Sequence, residues 1–566
     1  MPYFQLSSLV GFALLSASLT IAQALLPKVN LSYEIHQAIS FNQTGQTYNF
    51  SNIRFAQPPL GQLRFAAPVP PTGTDPVVQN GSVGKVCPSA VPNWSPIANQ
   101  VEIDIIAGNV SAFNYSAANE QLQTVLQNSL PPAQADGRAT EDCLFLDVIV
   151  PKAVFDKGKG RLMRRQQGGA PVIVWIYGGG YTLGSKGQWG NPSGLIKASQ
   201  KGGGDGIIYV TFNYRLGALG WLAGPTFQAS GGTANAGLYD QRLAIEWVAK
   251  YIHLFGGDPK QITILGESAG GGSAVHQITA YGGQKGVSFQ KAISQSPGYD
   301  PVRSSFAMEN ITNTFLSVLN VSTLAEARQK SSAEVILANT IQIGNSYYGT
   351  FTYGPMVDGI FVPDLPGVLL STGRFAKNVS VMVGHNIAEA PGFTPPYLET
   401  EPDFQTWLTL MFPGITQTAT NHVLNTLYPA TYNGSYPYSS PLERAFLMVQ
   451  EVIFACNTDY VNKAFGNQTF AYEFQVPPGF HGQDIAYTYY NYQGSSATVI
   501  APLAEELQGY LVNFAKTGNP NGPGLPYFPI YRSNSSINAL NATSIKQQRD
   551  DVANERCAWW GKGLFA

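Results

Sequence analysis

The sequence has few charged residues, and this scarcity limits the partners that it can bind. Asp, Glu, Lys and Arg make up 12% of the 566 residues, about half of the share in an average globular protein. The formal net charge is −2, so the chain has no basic field that would attract a nucleic acid. We therefore expect no nucleic-acid partner.

Histidine and cysteine are scarce as well, and neither occurs in a metal-binding motif. The chain has six histidines and four cysteines, and it contains no C-x-x-C and no H-E-x-x-H. Zinc sites need such closely spaced nitrogen or sulfur ligands, so we expect no metal. An even number of cysteines in an exported chain predicts two disulfides instead.

Long apolar segments are missing outside the N-terminus. The run Leu9–Ala22, which ends in Ala22-Gln23-Ala24, has the form of a secretory signal peptide cleaved after Ala24. A membrane anchor is the alternative, but the run is short, and no later segment reaches the roughly 18 apolar residues that a membrane helix needs. The sequence predicts a signal peptide at 1–24, a secreted, extracellular protein and no stable membrane anchor.

Asparagines in the N-x-Ser/Thr pattern are frequent, and they support export. Glycans on them would supply the surface polarity that the charged residues do not. The predicted glycosylation sites are Asn30, Asn42, Asn49, Asn80, Asn93, Asn109, Asn114, Asn310, Asn320, Asn378, Asn433, Asn467, Asn534 and Asn541.

Apolar residues, glycine and proline are abundant, and they indicate a folded chain with many loops. The chain has 44% hydrophobic residues, 59 glycines and 38 prolines. Strand-like runs at 145–151, 171–180 and 206–215 precede a helical pattern at 238–252 and a further strand-like run at 262–266. This alternation predicts an α/β fold with parallel strands.

One segment between two strands is rich in glycine and basic residues, namely 156–170. Such a composition is typical of a solvated loop, and we predict a loop here. A protease-processing site at Arg164-Arg165 is the alternative.

The first candidate for catalysis is Ser268, in the stretch ITILGESAGGGSA at 262–274. The pattern GESAG at 266–270 is a G-x-S-x-G that follows a strand-like pentad and precedes small residues that could open a helix. A nucleophile elbow needs small neighbours because strand and helix approach closely at a strained turn. The bare pattern occurs by chance in many proteins, but this context indicates a nucleophilic serine.

A nucleophilic serine also requires an oxyanion hole. Backbone N–H donors stabilise the charge that develops on the substrate oxygen, and each lowers the activation barrier by about 3 kcal/mol. Gly178-Gly179-Gly180 directly follows the strand-like run VIVWIY and is a suitable donor loop, with a flexible turn as the alternative. A further donor is expected from Ala269, the residue after the nucleophile.

The base is expected to be a histidine after Ser268, since nucleophile-elbow hydrolases present their triad in the order serine, acid, histidine. His276 lies on the helix of the nucleophile itself, and His385 leaves little chain for a preceding acid. His422 fits the surface of an amphipathic helix, whereas His481 lies in a loop after the strand-like run TFAYEFQV. We favour His481, with His422 as the alternative.

The acid should lie between the nucleophile and the base, at the end of another strand. The strand-like run at 379–383 leads to Glu389, which is the best candidate. Glu399, Glu401 and Asp403 lie in a polar loop and are less well placed. The residues alone leave open whether Glu389 is an ordinary surface glutamate.

Several longer motifs occur in the order that a known family shows. They are PLGQLRFAAP at 59–68, EDCLFLDVIVP at 141–151, VWIYGGGY at 174–181, FNYRLGALGWL at 212–222, AGLYDQRLAIEWV at 236–248, LGESAGG at 265–271, GHNIAEAPGF at 384–393 and FHGQDIAY at 480–487. Over most of the mature chain, the sequence resembles the type-B carboxylesterase/lipase family, which includes cholinesterases and secreted fungal lipases.

The resemblance implies an α/β-hydrolase fold, with a large, mostly parallel central sheet flanked by helices, in a single catalytic domain at 25–566. It also implies the roles of the site residues: Ser268 as nucleophile, Glu389 as acid, His481 as base, and Gly179, Gly180 and Ala269 as oxyanion donors. The family often has Asp-Glu-Gly around its acid, whereas this chain has Ala388-Glu389-Ala390.

The resemblance further implies how cysteines and buried charges pair. The implied disulfides are Cys87–Cys143 and Cys456–Cys557, and the implied ion pairs are Arg64–Glu141 and Arg215–Asp240. The segment 87–143 is long for the family, so we expect it to form a lid or a wall of the active-site gorge. It contains Trp94, and a loop tryptophan of cholinesterases binds a cationic substrate.

The expected function is that of a secreted serine hydrolase that cleaves carboxylic esters through an acyl-enzyme and needs no cofactor. The substrate is a small-molecule or lipid ester, and the oligomeric state stays open. The alternatives are an acyltransferase, an esterase with a narrow specialised substrate, and a catalytically silent binding protein, because fold alone does not determine function.

Overall fold

The computed structural model describes residues 26–109, 114–128, 136–164, 168–188, 190–299, 302–491 and 498–565. The predicted signal peptide and Arg165 of the predicted processing site lie outside these residues, so both stay predictions. No helix in these ranges is long and apolar enough to cross a membrane.

The described strands are short and occur along the whole chain. They are β1 (Lys28–Asn30), β2 (Glu34–Gln37), β3 (Ser40–Asn42), β4 (Thr47–Arg54), β5 (Asp75–Gln79), β6 (Phe145–Pro151), β7 (Ala170–Ile176), β8 (Ile208–Phe212), β9 (Gly257–Glu267), β10 (Lys291–Gln295), β11 (Ser380–Asn386), β12 (Phe470–Phe474), β13 (Ser536–Leu540) and β14 (Ile545–Arg549).

One sheet of 11 strands dominates the fold, in the order β14-β13-β12-β11-β10-β9-β7-β8-β6-β4-β3. The neighbours from β13 to β8 all pair in parallel, whereas β14 at one end and β6, β4 and β3 at the other pair antiparallel. A smaller sheet contains β1, β2 and β5. The predicted α/β fold with a large, mostly parallel sheet is confirmed.

Helices flank this sheet. Their bounds are Ser95–Ile106, Tyr115–Asn128, Lys152–Arg164, Ser193–Gln200, Ala218–Trp221, Pro225–Ala229, Ala236–Tyr251, Ala269–Thr279, Ser305–Val318, Leu324–Gln329, Ser332–Gly344, Pro366–Ser371, Glu401–Met411, Gln417–His422, Pro441–Gln450, Cys456–Ala464, Gln483–Thr488, Ala501–Thr517 and Glu555–Trp560. Short 3-10 turns lie at Gly61–Leu63, Ile252–Phe255, Ala280–Gly283 and Pro391–Phe393, and π-helical turns at Val423–Leu427 and Glu451–Ala455.

The central strands are buried on both faces because helices cover both sides of a parallel sheet. Every residue of β8, β10 and β12 is buried. Their sequences IYVTF, KAISQ and FAYEF are accordingly apolar or small over most of their length. The carboxyl ends of these parallel strands all meet at one edge of the sheet, and that edge is where ligand sites form in such folds.

The prediction of a loop at 156–170 is wrong for its first part, because the helix Lys152–Arg164 occupies it. Val154 and Phe155 are buried and anchor this helix to the core. Gly158 serves close packing, since a Cβ there would lie 2.4 Å from the Cα of Gly256. Glycine therefore lets the helix approach a neighbouring turn, which its sequence pattern alone did not indicate.

The pairings of cysteines and buried charges are those that the resemblance implied. Cys87 is bonded to Cys143 and Cys456 to Cys557. The guanidinium of Arg64 lies 2.6 Å from the carboxylate of Glu141. The second ion pair joins Arg215 and Asp240 at 2.7 Å, and all four of these charged side chains are buried. Removing one partner of such a pair leaves an uncompensated buried charge, so the pairs fix the architecture.

Candidate active site

Ser268 lies at a sharp turn between the carboxyl end of β9 and the helix Ala269–Thr279. Its backbone is strained, with φ 59° and ψ −127°, a conformation that persists at functional sites when the surroundings enforce it. The flanking glycines make the turn possible. A Cβ on Gly266 would lie 2.3 Å from the carbonyl oxygen of Gly270, and one on Gly270 would lie 2.0 Å from that of Ile176.

His481 lies in the loop that follows β12, and its imidazole contacts the serine. The distance between its Nε2 and the Oγ of Ser268 is 2.8 Å. A bridge between Ala388 and Phe480 holds this loop beside the loop that follows β11. The ring packs against Phe454, with 4.2 Å between the ring centroids. These contacts fix the imidazole in an orientation from which it can accept the serine proton.

Glu389 follows β11 and is fully buried behind the histidine. Its Oε2 lies 2.5 Å from the Nδ1 of His481. Its Oε1 accepts hydrogen bonds from the Oγ of Ser296 at 2.7 Å and from the backbone N–H of Asn386 at 2.6 Å. A carboxylate with these partners can hold one tautomer of the imidazole and stabilise its protonated form.

The alternatives His422, Glu401 and Asp403 contact other residues, and Glu399 is exposed. His422 packs on Trp559. Glu401 pairs with Arg444, and Asp403 accepts from Thr400 at the start of the helix Glu401–Met411, where the sequence had suggested a polar loop. The structure thus brings together Ser268, His481 and Glu389 out of all the candidates, although their roles stay predictions.

The glycine loop after β7 lies directly beside the serine. A Cβ on Gly178 would lie 2.8 Å from the Cβ of Ser268. Gly179 and Gly180 have φ of 107° and 58°, which glycine adopts readily. Within the described residues, the N–H groups of Gly179, Gly180 and Ala269 have no acceptor. These amides are free to bind a substrate oxygen, and the start of the helix at Ala269 adds the positive end of its dipole.

Glu267 is a functional candidate that the sequence did not indicate, because it occupies a position of the G-x-S-x-G pattern at which any residue is allowed. Its side chain is buried, and its Oε1 lies 3.4 Å from the Nε2 of His481. Burial raises the pKa of Glu267, while the neighbouring His481 acts in the opposite direction. Burial alone would lower the pKa of His481, but Glu267 and then Glu389 outweigh it, and this pKa is raised. Ser296 was missed too, because its link to Glu389 joins residues far apart in the chain.

A small cavity of about 60 Å³ opens at the serine. Its wall includes Ser268, Gly180, Ala269, Phe351 and Phe454. Drug-sized ligands need roughly 300 Å³ or more, so this cavity accepts only a short group. A larger depression of about 780 Å³ lies near the second disulfide and contains none of these site residues.

The segment 87–143 supports the wall of the cavity at Ser268 through Trp94, which packs behind the lining residues Phe351 and Phe393. This indole packs against Tyr348, Phe351 and Phe393, and its N–H donates to the carbonyl of Thr350 at 2.9 Å. Phe393 in turn packs edge-on against the ring of His481. Trp94 is only 8% exposed, which leaves little ring surface for a cationic substrate. Residues 110–113 and 129–135 lie outside the described residues, and a mobile lid stays a prediction.

One group of side chains in the described ranges could in principle hold a metal ion. The ligand atoms of His385, Glu473 and Asp551 lie within 4.8 Å of one another. Burial works against protonation of His385, yet Glu473 and Asp550 raise its pKa to about 10. The Nε2 of His385 lies 3.6 Å from the Oε1 of Glu473, and both side chains are buried, so these two residues form a buried ion pair.

Comparisons with known proteins find similar sequences and a similar fold. Residues 37–560 match the family model described as "Carboxylesterase family". The chain is 42% identical to "Carboxylesterase patB" of Aspergillus clavatus over 96% of this chain and 97% of that protein. It is 31% identical to "Secreted lipase" of Arthroderma benhamiae over 68% of this chain and 72% of that protein. Among solved structures, EstA of Aspergillus niger superposes with a TM-score of 0.76 at 25% identity, over 96% of this chain and 99% of that one.

Proposed function

Since the chain belongs to the carboxylesterase family and is a carboxylic ester hydrolase, we propose that Ser268, His481 and Glu389 perform this hydrolysis as a catalytic triad. The observation that carries the proposal is the continuous chain of contacts from Ser268 Oγ to His481 Nε2 at 2.8 Å and from His481 Nδ1 to Glu389 Oε2 at 2.5 Å. The activation of a weak nucleophile by an oriented base requires this arrangement.

In the first half-reaction, the Oγ of Ser268 bonds to the ester carbonyl carbon while His481 Nε2 takes the hydroxyl proton. The carbonyl oxygen becomes an oxyanion that accepts from the N–H groups of Gly179, Gly180 and Ala269. The bond to the alcohol oxygen then breaks, and His481 donates its proton to that oxygen. The products are a free alcohol and an acyl group on Ser268.

In the second half-reaction, His481 takes a proton from water, and the resulting hydroxide attacks the acyl carbon. The serine oxygen leaves and regains its proton from His481, which releases the carboxylic acid. Glu389 keeps its negative charge throughout and stabilises the imidazolium in both halves. No step needs a cofactor. If a bound alcohol replaced water here, the same residues would perform acyl transfer.

The size of the cavity beside Ser268 indicates the acyl length. A space of about 60 Å³ accommodates a short acyl group and excludes a long chain unless the aromatic wall moves. We therefore propose a short-chain carboxylesterase with a narrow substrate, and a lipase with long-chain preference is disfavoured.

We also propose that the protein is exported and glycosylated, in one catalytic domain over 25–566. The four cysteines all form disulfides, which persist in oxidising compartments. None of the predicted glycosylation asparagines is buried, and most of them are exposed. Edman sequencing of the secreted protein should begin at Leu25, and treatment with a peptide N-glycosidase should lower its mass.

The test is hydrolysis of p-nitrophenyl esters from acetate to palmitate by the secreted protein, with Ser268→Ala beside the native enzyme. We expect the highest kcat/KM at acetate to butyrate, and a loss of roughly 10⁴-fold or more in Ser268→Ala. Ser273→Ala is the matched control, since Ser273 lies in the helix that follows Ser268, and its hydroxyl accepts a hydrogen bond from Gln241 and donates one to the carbonyl of Ala269.

Retained activity in Ser268→Ala, or an equal loss in Ser273→Ala, would contradict the proposed nucleophile. A long-chain optimum would contradict the short acyl site. Ester product in place of acid, when an alcohol is added at concentrations where water still competes, would identify an acyltransferase. Folded native protein without activity on any ester would favour a silent binding protein.

A further inference from the structure

One positive charge faces the cavity at the serine. Arg303 lines this cavity together with Ser268, Gly180 and Ala269. Its backbone is fixed by a bridge to Met356, the residue that follows the lining residues Tyr353, Gly354 and Pro355. Arg303 is therefore held at the site, although it lies 35 residues after the nucleophile in the sequence and in no motif that the family resemblance rests on.

The charge of Arg303 is not neutralised within the described residues, where its side chain forms no ion pair and no hydrogen bond. Other arginines with little exposure each contact a carboxylate: Arg64 contacts Glu141, Arg215 contacts Asp240 and Arg444 contacts Glu401. Arg303 is half-buried. Burial lowers the pKa of its guanidinium to about 10, with Tyr347 acting in the opposite direction, so the group keeps its charge at neutral pH.

A partly desolvated, unpaired charge is costly unless a ligand compensates it. Arginine is the residue that best suits a carboxylate, because its planar fork donates two parallel hydrogen bonds to the two oxygens. The surrounding wall is aromatic, with Tyr299, Phe351 and Tyr353. These aromatic side chains carry no charge that would compete with Arg303 for an anionic ligand. Their low polarity also strengthens the electrostatic attraction between that ligand and Arg303.

The cavity is on the acyl side of the reacting ester. In the proposed mechanism the alcohol oxygen receives its proton from His481, so the alcohol lies next to that ring. The cavity is lined by two of the three predicted oxyanion residues, and His481 is not among the described residues that line it. A carbonyl bound at those amides therefore directs its acyl chain into the cavity, towards Arg303.

We propose that Arg303 selects short acyl groups that carry a second carboxylate, so that the preferred substrates are half-esters of small dicarboxylic acids. This inference rests on the proposed function, since it names the substrate class of the same site. The free carboxylate binds the guanidinium, and the cavity of about 60 Å³ limits the spacer to a few carbons. Arg303 determines specificity and does not take part in the bond-making steps.

The experiment compares monomethyl succinate with methyl 4-oxopentanoate, a neutral ester of nearly the same shape. Release of methanol is measured for the native enzyme, Arg303→Met and Arg303→Lys. We expect the native enzyme to prefer the anionic ester. Arg303→Met should lose about 10- to 100-fold in kcat/KM on monomethyl succinate, the range for a charge-assisted pair, and less than about threefold on the neutral ester. Arg303→Lys should fall between the two, because lysine keeps the charge and loses the fork.

Arg549→Met is the matched control, since Arg549 is an exposed arginine on β14, and it should leave the substrate ratio unchanged. Asp300 is the acidic residue next in sequence to Arg303, and it lies outside the described residues. We therefore include Asp300→Asn, which should leave the preference for the anionic ester intact.

Equal losses of Arg303→Met on both esters would overturn the inference, because they would indicate a structural role. A native enzyme without preference for the anionic ester would overturn it too. The same holds if Asp300→Asn and Arg303→Met lose thermal stability to the same extent while each keeps the native ratio of kcat/KM on the two esters. The proposed function fails separately: in that case Ser268→Ala would keep its activity on both esters. A loss confined to monomethyl succinate, with Ser268→Ala inactive on both, supports both proposals.

Discussion

At the scale of single residues, the site is defined by an imidazole between two carboxylates. Glu389 contacts its Nδ1, and Glu267 approaches its Nε2 from the side on which Ser268 also lies. Glu389 and the ionised form of Glu267 favour the protonated ring, and they raise the pKa of His481 although burial opposes this. A base that is too easily protonated is inactive at low pH, so we expect the two glutamates to set the pH range of the enzyme.

The substitution Glu267→Gln tests this effect. His481 acts as a base only when it is neutral, and activity is lost as the pH falls through its pKa in the folded enzyme. Removing the carboxylate removes a group that stabilises the imidazolium, so the pKa of His481 falls. The acidic limb of the profile of kcat/KM against pH should move to lower pH. We also expect a lower kcat at the plateau, since the imidazolium forms in the transition state.

Glu246→Gln is the control, because Glu246 is exposed on the helix Ala236–Tyr251, and its profile should overlay that of the native enzyme. An acidic limb that stays in place in Glu267→Gln, or moves to higher pH, would contradict the account.

The sequence predicted the site residues unequally. Ser268 has its signal in its own neighbours, because an elbow requires small residues locally. His481 lies 213 residues after Ser268, and Glu389 lies 92 residues before His481. Only their order, the strand-like runs and the resemblance therefore indicated them. Arg303 and Ser296 had no local signal at all. They become candidates only in the fold, which places Arg303 at the cavity of Ser268 and Ser296 against Glu389.

At the scale of elements, strands were easier to predict than the connection between β6 and β7. Buried parallel strands give continuous apolar runs, and the prediction of a strand at 145–151 coincides with β6. The segment 156–170 is polar and contains glycines, so its pattern favoured a loop. It forms a helix because tertiary packing of its buried face stabilises it, a contribution that exceeds local propensity.

Two glycines of this helix give a direct test, since their surroundings differ. Gly158→Ala would place a Cβ 2.4 Å from the Cα of Gly256, whereas a Cβ on Gly160 meets nothing within 4 Å. We expect Gly158→Ala to lower the free energy of unfolding by about 1–3 kcal/mol through overpacking. Gly160→Ala should raise it by up to about 1 kcal/mol, because alanine is the better helix former.

Urea unfolding followed by circular dichroism measures both effects. If the segment were a solvated loop, the two variants would have the same small effect. A Gly158→Ala variant as stable as the native protein would contradict the close approach of helix and turn.

At the scale of the whole molecule, the order of the strands was beyond sequence reasoning. β7 lies between β9 and β8, and nothing in the three sequences specifies this neighbourhood. Pairing depends on which faces are covered once the whole chain has collapsed. This order places the loops after β7, β9, β11 and β12 at one edge, where Gly179, Gly180, Ser268, Glu389 and His481 lie close together.

The disulfides secure this large structure at two places. The bridge between Cys456 and Cys557 spans 101 residues and ties the C-terminal helix to the core. All four cysteines are buried. We expect the double substitution Cys456→Ala/Cys557→Ala to lower the free energy of unfolding by about 2–5 kcal/mol. A reductant alone should leave the activity of the native protein unchanged, since it cannot reach the sulfurs.

The midpoint of urea unfolding, with and without reductant, tests this prediction. Loss of activity within minutes of adding the reductant at 25 °C would show that a bridge is accessible in the native state, contrary to the structure.

Covalent trapping identifies a nucleophilic serine directly, and we expect it to identify Ser268. Diethyl p-nitrophenyl phosphate transfers its phosphoryl group to an activated serine and releases one p-nitrophenol per active site. We predict complete loss of esterase activity, one equivalent of p-nitrophenol, and a single adduct that peptide mass spectrometry locates at Ser268. The folded Ser268→Ala protein should give neither burst nor adduct. An inactivating adduct at any other residue, or a full burst from Ser268→Ala, would contradict the account.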